Sequence, residues 1–147
     1  MTDSLATFRK VASQESGLCV VTALRSDGSM AASVVNAGVV PHPLTGADVV
    51  GFVARGVKKL EHLRADPRTT VVARNGWRWA AVEGTAELFG PDDAHPEVDD
   101  ERLRMLLREV FTAAGGSHDD WDEYDQVMRD ERSAAVIVTP IRTYPTG

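Results

Sequence analysis

The dipeptide Asn75-Gly76 stands between two runs of strand-forming residues, and no other feature constrains the fold as much. Asn-Gly favours the type I′ turn, whose backbone twist matches that of two antiparallel strands. The runs it joins are Thr69 to Ala73 and Arg78 to Phe89. In the second, Ala80, Val82, Gly84, Ala86 and Leu88 alternate with Ala81, Glu83, Thr85 and Glu87, the period of a strand with one buried face. A second turn signal, Ser26-Asp27-Gly28-Ser29, separates Leu18 to Leu24 from Met30 to Val40 and predicts another hairpin. Val49 to Ala54 and Ala134 to Thr139 read as two more short apolar strands.

Helical signals are interspersed without a regular strand–helix alternation. Over 99–114, Leu103, Leu106, Leu107, Val110, Phe111 and Ala114 recur at helical spacing. Asp99, Asp100 and Glu101 suit the positive end of that helix, and Gly115-Gly116 stops it. Shorter helices are predicted over 4–14 with Ser4 as N-cap, over 56–64 ended by Asp66-Pro67, and over 119–128. Six strands with tight hairpins argue against a doubly wound parallel sheet. They predict a mainly β fold with short helices, an antiparallel barrel forming one domain over 1–147.

The net charge of −6 argues against a nucleic-acid partner, which calls for a basic excess. No apolar stretch approaches the roughly 18–20 residues of a membrane span, and residues 1–15 lack a signal core, so a cytoplasmic protein without a membrane partner is expected. The single cysteine, Cys19, lies in an apolar run and reads as a small buried hydrophobe. His42, His62, His95 and His118 show no metal-ligand spacing, so no metal is expected and each reads as a surface residue. Nucleophile motifs, Walker loops and the dinucleotide-binding Gly pattern are missing, and no catalytic residue is assigned.

Three groups of residues carry chemistry. Arg55, Lys58 and Lys59 follow a strand and open a short helix, where the helix dipole disfavours cations. They are either solvated surface charges or an anion site built from side chains and free N–H groups. On the second strand, Ser33 and Val35 face one side and Val34 and Asn36 the other. Asn36 either bonds the edge of a ligand ring or satisfies a strand irregularity. Small residues there (Ala31, Ala32, Ala37 and Gly38) leave room for something to approach the backbone. Trp77 and Trp79 follow the hairpin turn and either stack on a planar ligand, fill an interface or fill the core.

Three segments together resemble the pyridoxamine 5′-phosphate oxidase-like superfamily, and within it the actinobacterial branch that uses the deazaflavin coenzyme F420. They are Lys59-Leu60-Glu61-His62-Leu63-Arg64-Ala65-Asp66-Pro67-Arg68, the stretch from Gly76-Trp77-Arg78-Trp79 to Glu83-Gly84-Thr85-Ala86-Glu87-Leu88, and His118 to Tyr124 running on towards Val136. The resemblance implies a six-stranded split β-barrel (the FMN-binding split barrel), a homodimer, and two cofactor sites at its interface. It implies Lys59 on the phosphate or acidic tail, Ser33, Val35 and Asn36 along the ring system, and Trp77 and Trp79 near the site. The sequence departs from the pattern at Val57, where members often carry arginine, with Arg55 and Lys58 nearby as substitutes. It departs again at His62, where asparagine is frequent. The implied activity is an F420-dependent oxidoreductase passing a hydride to a small-molecule substrate. The alternatives are an FMN-dependent oxidoreductase of the same fold and a non-catalytic cofactor- or tetrapyrrole-binding protein.

Overall fold

A computed structural model describes residues 4–145. In chain order the elements are α1 (Ala6–Gln14), β1 (Leu18–Leu24), β2 (Met30–Pro41), β3 (Asp48–Ala54), α2 (Val57–Ala65), β4 (Arg68–Asn75), β5 (Arg78–Phe89), α3 (Asp100–Ala113), α4 (Trp121–Asp130) and β6 (Ala134–Tyr144). The six strands close a barrel in the order β1-β2-β3-β6-β5-β4, with β4 returning to β1, and every pairing is antiparallel.

The local chemistry explains both hairpins. Between β1 and β2, the Gly28 N–H donates to Arg25 O and the Arg25 N–H to Ser29 O, while Gly28 takes φ +85°. The β4–β5 turn falls one residue later than the sequence signal suggests. Asn75 pairs with Arg78, so Gly76 and Trp77 are the central residues. Gly76 has φ +62° and Trp77 has a negative φ, the type II′ pattern, in which only the first central position needs glycine. β6 runs five residues beyond the expected Thr139 because it follows β5 through a bulge. Gly84 pairs with Pro140 and Glu83 with Arg142, leaving Ile141 as the extra residue beside a proline that has no N–H for the ladder.

Ser4 does not cap α1. Leu5 holds the cap position, where its own apolar side chain makes no capping bond, and it anchors the start of the helix by packing. By contrast, Asp99 accepts from the Arg102 N–H at the start of α3, and Asp120 accepts from the Glu123 N–H at the start of α4.

Two cores result. Inside the barrel, Val21, Val35, Phe52, Val71, Val82 and Val136 pack with Phe8 of α1 and Leu60 and Leu63 of α2. Outside it, α3 and α4 lay Leu106, Leu107, Val110 and Tyr124 over Val40, Val49, Phe89 and Ile137. The room left by Ala37 and Gly38 is taken by α3. A Cβ on Gly38 would stand 2.2 Å from the Ala113 carbonyl oxygen. Cys19 is buried as expected, and burial pushes its thiol up to about 12. His42 is not a surface residue. It is buried, its Nδ1 accepts the Leu44 N–H at 3.1 Å, and its Nε2 meets Glu87 at 2.7 Å. Among the described residues no helix is long and apolar enough to cross a membrane.

Candidate functional site

β1 and β2 pair with Val21 opposite Ser33, Thr22 opposite Ala32 and Ala23 opposite Ala31. The small side chains on β2 leave a shallow floor. α2 is held over it because Leu60 and Leu63 are buried in the barrel core. Between them lies a cavity of about 500 Å³, lined by those strand residues, by Arg25 of the hairpin loop, and by Lys58, Lys59, His62 and Leu63 of α2.

The charge of this cavity is one-sided. Arg25, Lys58, Lys59 and His62 line it, and no aspartate or glutamate does, in a chain whose net charge is −6. Arg25 is held in place by donating to Met30 O at 2.7 Å and Ser29 Oγ at 3.3 Å. Lys58 is exposed, and among the described residues its one ion-pair partner is Glu61, at 3.9 Å. Lys59 is half-buried and has no ion-pair partner among the described residues, and partial burial lowers its pKa. An anion here would restore the interaction energy that burial removes from Lys59, helped by the uncapped N–H groups at the start of α2.

The residues expected to hold a cofactor are not all gathered in this cavity. Ser33, Lys58 and Lys59 line it. Asn36 and Arg55 line a second cavity of about 440 Å³ with Val53, Phe111, Met128 and Ser133. There the Asn36 Nδ2 donates to Ser16 O at 2.9 Å, and one Arg55 nitrogen contacts both Glu131 oxygens at 3.0 Å. Arg55 therefore does not converge with the two lysines as their spacing suggests; the carboxylate of Glu131 at the end of α4 draws it away. Val35 is buried in the barrel core. Trp77 sits in the turn, 99% exposed, and Trp79 packs edge-on to Tyr144 at 6.0 Å; neither lines either cavity.

The two cavities lie towards opposite ends of one outward-facing row on β2. Ala32 belongs to the first, Asn36 to the second, and Val34 between them is 65% exposed. At the rise of a strand, the Ala32–Asn36 distance is about 13 Å. The apolar surface continues across paired strands, since Val20 lies opposite both Val34 and Val72, and Met30 is 68% exposed.

Arg25 and His62 line the cavity although neither is among the residues expected to hold a cofactor. For His62 a signal exists, because Lys58, Lys59 and His62 fall at i, i+1 and i+4 on α2 and so lie near one face. Arg25 carries no such signal. Only the β1–β2 register and the loop geometry bring it over the floor.

No family model matches the chain. Solved structures share its architecture. A conserved hypothetical protein of Mycobacterium tuberculosis aligns with a TM-score of 0.66 at 16% identity, over 97% of this chain and 82% of that one. A pyridoxamine 5′-phosphate oxidase-related, FMN-binding protein of Nostoc punctiforme aligns at 0.59 and 13% identity, over 95% and 78%. The chain has the pyridoxamine 5′-phosphate oxidase-like split-barrel fold. An F420 reductase shows the same split barrel at a TM-score of 0.55 and 13% identity, covering 86% of this chain and 88% of its own.

Proposed function

We propose that this split barrel is an F420-dependent oxidoreductase, exchanging a hydride between the reduced deazaflavin and a small electrophilic substrate such as a conjugated alkene, quinone or nitro compound. The observation that carries this reading is the carboxylate-free cavity in which the half-buried Lys59 lacks an ion-pair partner among the described residues. F420 bears a phosphodiester and an acidic glutamyl tail, whereas FMN ends in one phosphate. Four basic side chains, with Arg25 and His62 added to the two lysines, suit the longer polyanion. When bound, the deazaflavin ring supplies the redox chemistry.

The chain's own part is binding and placement. Lys58, Lys59, Arg25 and His62 hold the acidic groups, and the row Ala32, Val34, Asn36 offers a surface for the planar ring. A second copy of the chain covering Val20, Met30 and Val34 excludes water from that surface and brings Trp77 or Trp79 of one copy towards the site of the other. The same fold with FMN is the second reading, favoured by the likeness to the Nostoc FMN-binding protein.

Titration of the purified protein with F420 and, separately, with FMN, followed by fluorescence polarisation, tests the proposal. Micromolar F420 binding with weak FMN binding is expected. Replacing Lys58 and Lys59 together by alanine should weaken it, at about 1–3 kcal/mol per lost contact to phosphate. Preference for FMN overturns the cofactor assignment. Binding of F420 without oxidation of its reduced form by any acceptor offered points to a carrier protein, and unchanged affinity in the double variant removes the anion site.

A further inference from the structure

A third cavity of about 490 Å³ lies on the far side of α4, walled by the β5–α3 loop, α3, α4 and the residues that lead into β6. It shares Met128 and Ser133 with the cavity of Asn36 and Arg55, but none of its residues belongs to the basic cavity under α2. Its volume is that of a small-molecule site, and one side is apolar, formed by Phe89, Val98, Leu103, Leu107 and Met128.

Most charged groups on its wall are already satisfied. Asp93 is held by Arg64 through two bonds of 2.7 Å, Asp125 by Arg104 and Arg108, Glu101 by Arg104, and Arg132 by Asp92. Outside these ion pairs, three groups of the wall keep a donor to spare. Ser133 is 1% exposed, and its buried Oγ is without a hydrogen-bond partner. The His95 Nδ1 accepts the Glu97 N–H at 3.1 Å, which leaves the proton of the neutral ring on Nε2, free to donate. Arg129 spends one nitrogen on Gln126 at 2.9 Å and keeps its other donors. The exposed Asp100 at the start of α3 is the one carboxylate of the wall with no such pairing.

We propose that this cavity binds a small carboxylic acid with an apolar body. The body rests on Phe89, Leu103 and Met128, and the carboxylate accepts from Ser133, His95 and Arg129. A buried hydroxyl without an acceptor is a cost that an acceptor on the ligand removes, and the spare donors of Arg129 favour an anionic acceptor.

The test is a titration of ¹⁵N-labelled full-length protein with 3-phenylpropionate, followed by amide shifts. Saturable shifts at His95, Leu103, Arg129 and Ser133 are expected, with submillimolar affinity. Leu103→Trp, which fills the cavity, should abolish them. Ser133→Ala, which keeps the cavity, should weaken binding about fivefold, the loss of one hydrogen bond. A well-dispersed spectrum establishes that each variant is folded. If no shift saturates, if shifts appear only at Lys59 and His62, or if Ser133→Ala binds as tightly as the parent, the proposal fails.

Discussion

At the scale of single residues, Lys59 and Asp125 show opposite uses of a partly buried charge. Desolvation holds the pKa of Lys59 below its ordinary value, so the fold disfavours the protonated form. That penalty is present below the folded pKa, where folded and unfolded chains both carry the proton, and fades as pH rises through it towards the unfolded value. Lys59→Met should therefore leave the melting temperature of the free protein unchanged or raise it at neutral pH. The same variant should lose the thermal protection that inorganic phosphate gives the parent, and scanning calorimetry with and without phosphate reads both effects. Asp125 is the reverse case. The Arg108 and Arg104 guanidinium groups hold its carboxyl below the usual range. Its stabilisation is present above the unfolded carboxylate value, near about pH 4, and is lost as pH falls through the lower folded one. Asp125→Asn should cost about 2 kcal/mol at neutral pH by leaving two arginines without their shared anion. In urea denaturation the gap between parent and variant should close in acid; a gap that persists unchanged there contradicts this account.

At the scale of elements, much was legible because each helix and strand announces itself locally. The helical repeat over 99–114 names Leu106, Leu107 and Val110, which the structure buries. The hairpins are marked by Gly28 and Gly76, although at the second the register turns on the backbone of one glycine rather than on the Asn-Gly pair. What α3 packs against was not legible. The small residues Ala37 and Gly38 signal a close approach without saying by what, and the answer is the last turn of a helix far along the chain. Gly38→Ala should accordingly cost about 2–3 kcal/mol, because its methyl group meets backbone that can move only by shifting α3. Equilibrium denaturation measures this, and a cost near zero means that α3 is less firmly seated than its contacts imply. The candidate site was legible in part for the same reason. Lys58 and Lys59 are adjacent in sequence, whereas Arg25 joins them through strand pairing and Arg55 leaves them for Glu131, two long-range events that no local pattern encodes.

For the whole molecule, an antiparallel barrel follows from six strands with short connections, but the order of its staves does not. The proposed dimer belongs to this scale. Val34→Lys sets a charge in the middle of the exposed apolar face. Light scattering should show the parent at twice the mass of one chain and the variant at one, with F420 affinity falling alongside; a monomeric parent removes the dimer from the proposal. The position of β6 has a different consequence, for biosynthesis. It is the last strand in the chain, yet it sits between β3 and β5, which do not pair with each other. A nascent chain therefore emerges from the ribosome with two open hydrogen-bonding ladders and a half-covered apolar interior, and it keeps them until its final stave arrives. Folding cannot be completed stepwise during translation. Until β6 is in place, the open edges and half-covered interior are exposed to misassociation with other chains.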